Sequence, residues 1–290
     1  MTKKILIVSD GKLGHVNQML GIASCLKKKY GIDYEIQTIK NMYSTMRSLY
    51  KKNSYFCIIG AGHATHFILI MSRLFFNQKI VCLMKPTLPC FLFNMVIAPA
   101  HDSIASSDNV ILTKGVPNKI VFKEKKSCTG LLLIGGPSKS NDWPEDLIFK
   151  QIDNVMRDKT VSWKILDSPR TPLSTKKYFQ ENYKSNYHSV DIVSSDTLPD
   201  LLSVAVKCWV TEDSASMVYE SLTAGCKTGI LSVNASKKNK VIRGVDALHS
   251  AGIVTRYPDL GFSKLKFELF VLNEADRCAD IIANKFVFGF

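Results

Sequence analysis

The sequence lacks the signals that would place it among membrane-spanning or secreted proteins. No segment reaches the roughly 18 uninterrupted apolar residues that a spanning helix needs. The apolar run after the basic start, Ile5 to Val8, has only four residues and is too short for a secretory signal peptide. We therefore expect neither a spanning helix nor a signal peptide.

Cysteine pairs of the Cys-x-x-Cys type are absent, although the chain has eight cysteines. Three of them, Cys57, Cys82 and Cys208, lie inside apolar runs that are typical of buried strands. Free cysteine is among the most buried residue types. We therefore predict reduced thiols in a cytosolic protein, with neither a zinc site nor a disulfide framework.

Acidic residues are scarce: 25 Asp and Glu stand against 38 Lys and Arg, for a formal net charge of +13. This excess indicates an anionic partner, and nucleic acid, a nucleotide-bearing substrate and an acidic membrane surface all qualify. Basic strands with interleaved aromatics and recognition-helix patterns are missing. We therefore expect no nucleic-acid partner, whereas the other two remain open.

What the chain does contain is the composition of a globular protein, with 46% hydrophobic and 22% charged residues. Strand-like and helix-like runs alternate from end to end, which predicts α/β units with parallel sheets. A length of 290 residues favours two domains, which we place at 1–125 and 126–290, with the last helix, 272–285, free to pack back on the first. We expect two Rossmann-like doubly wound domains facing each other across a cleft. The predicted elements include helices at 42–51 and 64–76 and a strand at 190–193.

The loop after the first strand, 9–18, carries glycines, an acidic residue and a histidine. Glycine allows close backbone approach, and Asp10 or His15 has the chemistry of a general base. The alternative is a tight glycine turn with a solvated histidine. A second loop has His63 and His66, whose spacing suggests a metal pair, but no third ligand is spaced to complete it and we favour no metal. His101 follows a later predicted strand, 95–98, and is either a further polar residue at the presumed cleft or simply part of a turn.

Three loops in the second half have the composition of an anion site. Residues 135–139 combine two glycines, a hydroxyl and a cation directly after a strand, without the spacing of a Walker loop. Arg170 stands between two prolines, which suits bidentate capture of a phosphate, or is simply a surface Arg on a rigid turn. The stretch 210–225 predicts a strand, a turn and a helix that Ser214 or Asp213 caps and Gly225 closes. Glu220 lies one turn after Ser216, as a ligand for a sugar diol or as a solvated side chain.

Helix 64–76 is more apolar than a single buried face requires. Helices that are apolar all round are usually core elements, and a minority lie on membrane surfaces. The sequence leaves both interpretations open.

Four motifs follow one another along the chain: Ser9-Asp10-Gly11-Lys12-x-Gly14-His15-x-Asn17-Gln18-x-Leu20-Gly21, Gly135-Gly136-Pro137-Ser138-Lys139, Arg170-Thr171-Pro172 and Asp213-Ser214-x-Ser216-Met217-x-x-Glu220-x-x-x-x-Gly225. In this order they resemble the Elm-type "mitochondrial fission" family, named from its plant member, whose bacterial members look like glycosyltransferases of the GT-B architecture. The resemblance spans about Lys4 to Leu260.

This resemblance implies that the C-terminal domain holds a nucleotide sugar and the N-terminal domain holds the acceptor. Asp10 or His15 would be the catalytic group nearest the reacting hydroxyl, and Arg170 would neutralise the departing phosphate. The predicted donor residues are Gly136, Ser138, Lys139, Arg170, Thr171, Asp213, Ser214, Ser216, Met217 and Glu220. The predicted acceptor residues are Gly14, His15, Asn17, Gln18, His63 and His101.

The implied activity is that of a glycosyltransferase needing neither metal nor cofactor, an expectation with which the lack of an Asp-x-Asp pair agrees. Its donor would be a UDP- or CMP-linked sugar. The acceptor would be a bacterial cell-surface glycan such as lipopolysaccharide, or its lipid-linked precursor. We expect a cytoplasmic protein, with a peripheral position on the inner face of the cytoplasmic membrane left open.

The alternative is a non-catalytic membrane-associated adaptor or organelle-shape factor. A pure scaffold has no physical need for the phosphate-loop residues and Glu220, which argues against it. If the transferase interpretation holds, Glu220→Gln and Arg170→Ala should abolish transfer and leave the fold intact, because both are predicted cleft residues.

Overall fold

The computed structural model of the chain describes residues 4–39, 45, 55–125, 128–138, 141–194, 196–233, 240–258 and 270–288. Contacts divide the chain into two compact units. The first unit comprises Met1–Lys119 together with Asn273–Phe290, and the second comprises Ile120–Leu272. Apart from Thr45, the predicted helix at 42–51 lies outside the described residues.

The first unit is built on a parallel sheet whose six strands run in the order β2-β1-β3-β4-β5-β6 within the described residues. These strands are β1 (Lys4–Ser9), β2 (Asp33–Thr38), β3 (Tyr55–Ala61), β4 (Ile80–Leu83), β5 (Met95–Pro99) and β6 (Val110–Thr113). The helices are α1 (Leu13–Tyr30), α2 (His63–Phe76) and, from the C-terminus, α8 (Glu274–Ala283), which continues as a π-helical turn, Asn284–Phe288. Short 3-10 turns cover Cys90–Leu92 and Ala100–Asp102.

Both faces of this first sheet are buried, because successive side chains of a strand point to opposite sides. Ile5 and Ile7 belong to a core that includes residues of α1 and α8. Leu6 and Val8 belong to a second core with Ile68 of α2. The continuous apolar run of β1 is therefore explained by helices on both faces, as the doubly wound prediction requires.

The second unit repeats this architecture, with a parallel sheet in the order β12-β11-β10-β7-β8-β9. Its strands are β7 (Thr129–Leu133), β8 (Ser162–Leu166), β9 (Tyr187–His188), β10 (Ala205–Thr211), β11 (Lys227–Leu231) and β12 (Thr255–Arg256). Its helices are α3 (Glu145–Met156), α4 (Leu173–Asn182), α5 (Thr197–Val204), α6 (Ala215–Thr223) and α7 (Lys240–Ser250). The predicted α/β fold with two parallel sheets is confirmed.

One predicted strand, 190–193, is wrong. The backbone N–H of Val190 donates to the Asp167 carboxylate at 2.5 Å, and the N–H groups of Ile192 and Val193 donate to the Ser189 carbonyl. These bonds close a turn, so the β-branched residues are not available to a sheet partner. The strand lies earlier, at Tyr187–His188, where it pairs with β8. Helix α7 and strand β12 were not predicted.

The boundary between the units lies at Lys119 and Ile120, whereas the sequence interpretation placed it after residue 125. The side chains of the linker explain the difference, since they contact the second unit. The Lys125 ammonium donates to the Leu202 carbonyl, and a Cβ on Gly225 would lie 2.6 Å from the Phe122 ring. At the other end of the chain, α8 belongs to the first unit and packs on α1.

The three cysteines that the sequence places in apolar strands are buried. Cys57, Cys82 and Cys208 are buried free thiols, and burial raises the pKa of each, to about 12 for Cys82. Cys128, by contrast, is exposed.

Within the described ranges, no helix has both the length and the apolarity needed to cross a membrane.

Candidate functional site

The first unit holds a carboxylate–imidazole pair at the carboxyl end of β1. Asp10 follows the last residue of that strand, and His15 lies in the first turn of α1. Both carboxylate oxygens of Asp10 lie 3.0 Å from Nδ1 of His15. The carboxylate is only 6% exposed and the imidazole 16%. Because Nδ1 faces an acceptor, it carries the proton in the neutral ring, and Nε2 keeps its lone pair.

The local sequence holds this pair in place. The Gly11 N–H donates to the Ser9 hydroxyl at 3.0 Å, and the Lys12 N–H donates to Asp10 at 3.2 Å. Directly after the neighbouring strand β3, Gly62 packs over the pair with a φ of 85°, and a Cβ there would lie 2.6 Å from Cε1 of His15. Only glycine suits both that φ and that approach, so the loops after β1 and β3 meet at the imidazole.

The other predicted acceptor residues are placed unevenly around this pair. Gly14 is exposed, and a Cβ added there would meet no atom within 4 Å. Asn17 is half-buried, while His63 is exposed and begins α2 directly after Gly62. His101 lies after β5, which β4 separates from β3, so the sheet order does not bring it beside Gly62.

Gln18 shows a contact that sequence reasoning missed. Its amide donates to the sulfur of Met84 at 3.8 Å, just after β4. Met84 has a φ of 71°, which is uncommon for a residue other than glycine and is concentrated at functional sites. No sequence signal marks this backbone, because methionine does not favour it.

His66 behaves as a structural residue rather than half of a metal pair. It is buried, its Nδ1 lies 3.2 Å from the Thr87 hydroxyl, and its ring packs edge-on against Phe93. Burial, followed by the neighbouring His63, lowers the pKa of His66. The described residues contain no group of three or more His, Cys, Asp or Glu side chains that could hold a metal ion.

In the second unit, three predicted loops meet because they follow β7, β8 and β10, which are neighbours in the sheet. Arg170, after β8, donates to the Asp213 carboxylate at 2.6 Å and to the Gly136 carbonyl at 2.8 Å. Asp213, after β10, also accepts the Gly136 N–H at 3.1 Å. Asp213 is fully buried at its side chain, while Arg170 remains 42% exposed. The ion pair between Arg170 and Asp213 thus holds together the loops after β7, β8 and β10.

Two threonines and two glycines complete this junction. Thr211, which sequence reasoning did not single out, accepts the Gly135 N–H at 2.8 Å. The buried Thr171 hydroxyl contacts the Ile134 and Gly135 carbonyls at 3.1 and 2.5 Å. A Cβ on Gly135 would overlap the Asp213 carboxylate, and one on Gly136 would overlap the Arg170 carbonyl. The glycine pair is therefore explained by the close packing of the loops.

The remaining donor residues lie along α6 and beside the glycines. Ser214 occupies the N-cap position of α6 but makes no side-chain capping bond, and Ser216 is exposed in the first turn. Met217 and Glu220 are buried, the latter with 5% exposure, so a fully solvated Glu220 is wrong. Gly225 ends the helix with a φ of 74°. Ser138 is exposed, whereas Lys139 lies outside the described residues.

Two parallel sheets, each of six strands within the described residues, define the fold class: it is that of the GT-B glycosyltransferases and related sugar-nucleotide enzymes. Within this class, the chain belongs to the mitochondrial fission ELM1 family, whose model matches residues 13–286. The resemblance of the four motifs is thereby confirmed. No curated protein matches the chain by sequence.

Among the solved structures that share this fold are enzymes whose substrates are UDP-linked sugars. A putative UDP-N-acetylglucosamine 2-epimerase from Listeria monocytogenes aligns at a TM-score of 0.62 and 10% identity, covering 100% of this chain and 98% of that one. The UDP-GlcNAc 2-epimerase from Neisseria meningitidis, bound to UDP-GlcNAc, aligns at 0.57 and 13% identity, with coverages of 99% and 100%. A UDP-glucosyltransferase from Polygonum tinctorium capable of glucosylating indoxyl aligns at 0.53 and 9% identity, with coverages of 98% and 89%.

Proposed function

We propose that the protein transfers a sugar from a nucleotide donor, held by the second unit, to a hydroxyl of a cell-surface glycan or lipid-linked acceptor, held by the first. The observation that carries the proposal is the Asp10–His15 pair, in which the carboxylate lies 3.0 Å from Nδ1. An imidazole oriented in this way through Nδ1 is a general base at Nε2. The family and the fold supply the context of sugar chemistry.

In the proposed transfer, an acceptor hydroxyl displaces the nucleotide from the donor sugar. The acceptor oxygen attacks the anomeric carbon of the donor while Nε2 of His15 takes the hydroxyl proton. The bond between the anomeric carbon and the phosphate oxygen breaks, and its electron pair leaves with the nucleotide. Asp10 stabilises the imidazolium that forms, because the carboxylate is buried beside it.

For the donor, we propose the first turn of α6 as the phosphate contact. The positive end of the helix dipole lies there, and Ser214 does not cap it with its side chain. Ser216 is exposed in the same turn. Arg170 presents its exposed side to the departing phosphate while Asp213 holds the other side. Charge developing on the leaving phosphate is thus stabilised by fixed donors, and we propose that neither a metal nor a cofactor takes part.

A thermal-shift screen with UDP, GDP, CMP, dTDP and their sugars tests the donor half of the proposal, with and without EDTA. We expect a nucleotide to raise the melting temperature of the wild-type protein by mass action, with EDTA making no difference. UDP is the first choice, since a solved neighbour binds UDP-GlcNAc. We expect Glu220→Gln to reduce that shift. No shift with any nucleotide would favour the non-catalytic adaptor.

Transfer assays with the donor found in that screen test the catalytic half. We expect Asp10→Asn and His15→Gln to lower kcat by about 10² to 10⁴, the usual contribution of a general base, and to keep the nucleotide shift. His249→Gln, in the last turn of α7, is the matched histidine control and should keep full activity. Full turnover in His15→Gln would overturn the assignment of the base. Conversion of UDP-GlcNAc to its C2 epimer without an acceptor would replace transfer by epimerisation.

A further inference from the structure

One face of α2 is apolar and exposed, although most of the helix sequence resembles a core segment. Its buried side chains are Thr65, His66, Ile68, Leu69 and Ser72. On the other side, Leu74 is 71% exposed and Phe75 66%. Phe67 precedes them by seven and eight residues, about two helical turns, so the three side chains share one face. The structure thus answers the question that the sequence left open: only half of α2 is core.

The connection after β4 extends this face. Leu88 and Phe91 are also exposed. Arg73, in the last turn of α2, donates to the carbonyls of Phe91 and Leu92 at 3.1 and 2.7 Å, which fixes the connection against the helix. Phe67, Leu74, Phe75, Leu88 and Phe91 are called the α2 patch below. Several exposed apolar side chains on neighbouring elements usually mark an interaction site.

The charge around the α2 patch points to the occupant. Although the chain has 25 acidic residues, none occurs between Glu35 and Asp102, a stretch that includes all of α2 and the connection. Basic residues do occur in this stretch, and they are Lys40, Arg47, Lys51, Lys52, Arg73, Lys79 and Lys85. Lys79 and Lys85 are exposed. The segment that carries the α2 patch is thus apolar and basic, and it complements anionic lipid headgroups above acyl chains.

We propose that the α2 patch docks on the surface of an anionic lipid bilayer. The aromatic side chains alone would suffice to bind an apolar protein partner. An anionic lipid surface also explains why the segment around α2 has no acidic residues. Because α2 begins beside Gly62, which packs on His15, the docked helix leads from the bilayer to the imidazole. The inference deepens the proposed function, and it rests on that function for the acceptor, which would be lipid-linked.

Vesicle co-sedimentation of the full-length protein tests the proposal. The probes are vesicles of phosphatidylcholine alone and vesicles with about 30% phosphatidylglycerol, at low and high salt. We expect binding to the anionic vesicles that weakens as salt screens the headgroups. The double variant Leu74→Ser with Phe75→Ser should bind at least tenfold less. The matched control, Val121→Ser with Ile192→Ser, removes side chains of similar exposure elsewhere and should bind as the wild-type protein does.

A fluorescence reporter separates direct insertion from an indirect effect. The three native tryptophans, Trp143, Trp163 and Trp209, all belong to the second unit. Phe75→Trp places a fourth in the α2 patch, and we expect its emission to shift to the blue on anionic vesicles. Ile192→Trp is the control and should not shift. An unshifted Phe75→Trp, or equal binding by the Leu74→Ser and Phe75→Ser variant, would overturn the proposal.

Two further outcomes would show that the α2 patch has a different occupant, or which of the two proposals fails. Dimerisation of the wild-type protein that the double variant abolishes, without vesicle binding, would assign the patch to a second copy and overturn the lipid proposal. The nucleotide thermal shift of the double variant distinguishes the two proposals. If that shift persists while vesicles do not bind, only the membrane proposal fails; if vesicles bind and no nucleotide shifts any variant, the proposed function fails.

Discussion

At the scale of single residues, the structure separates glycines that the fold needs from one that it does not. Gly62, Gly135 and Gly136 are each in contact with groups that a Cβ would strike. Gly14 has open space around its Cβ position, and it lies in the first turn of α1 next to His15. A glycine in a helix that no contact requires leaves room for a ligand, which under the proposed function is the acceptor.

Gly14→Ala should therefore raise stability and lower activity. The smaller conformational freedom of alanine in the unfolded chain stabilises a compatible helical site by about 0.4–1 kcal/mol. If the acceptor approaches here, the added methyl group should raise its KM severalfold and leave the nucleotide shift unchanged. Melting curves and steady-state kinetics read the two effects separately. A stabilised variant with the wild-type KM would remove Gly14 from the acceptor site.

Arg170 also needs a revised expectation. Its replacement by alanine was expected to leave the fold intact, yet Arg170 neutralises a fully buried carboxylate and joins three loops. Arg170→Ala should lower the free energy of unfolding by about 3 kcal/mol, because an uncompensated charge stays buried at Asp213. The double variant with Asp213→Asn should recover part of that loss. Urea unfolding of the three variants measures the coupling, and strictly additive losses would contradict it.

At the scale of elements, the C-terminal helix is tied to the first one. Tyr30 of α1 donates to Asp280 of α8 at 2.8 Å, and the Lys29 ammonium lies 2.6 Å from the same carboxylate. Below this polar rim, Cys278 and Ile282 are fully buried in the core shared with α1. This contact returns the end of the chain to the first unit after the whole second unit has been traversed.

The contact between α1 and α8 should weaken in acid. Burial acts to raise the pKa of Asp280, but hydrogen bonds from Lys29 and Tyr30 outweigh it and hold the pKa below its ordinary value of 3.8. A carboxyl whose pKa is lower in the folded state stabilises the fold above the unfolded pKa, and that contribution is lost as the pH falls through the folded value. Melting temperatures of wild-type protein and Asp280→Asn between pH 6 and pH 2 should converge at the acid end. Parallel curves would contradict this pairing.

At the scale of the whole molecule, the proposed donor residues all come from the second unit and the proposed base from the first. Hydrogen exchange with the nucleotide found in the thermal screen should reflect this division. We expect slower exchange in residues 135–138, 168–171 and 212–217, and little change at 10–15. Local protection reports which segments a ligand stabilises. Protection confined to the first unit would reverse the assignment of donor and acceptor.

The same scale distinguishes what local patterns can predict from what they cannot. Central strands such as β1, β3 and β10 follow from apolar runs, because a strand buried on both faces must be apolar throughout. The segment 190–193 was mistaken for a strand because its β-branched residues favour one. Its turn depends on the Asp167 carboxylate, which is distant in the sequence.

The sequence by itself determined the α/β class, the two sheets, the buried thiols of Cys57, Cys82 and Cys208, and the family. Those properties depend on periodicity, composition and motif order, which are local or additive. The tertiary structure alone decided that Asp213 pairs with Arg170, that Glu220 is buried, that α8 joins the first unit and that half of α2 faces outwards. Each of these depends on contacts between side chains that are distant in the sequence. No single segment therefore determines the burial or the charge pairing.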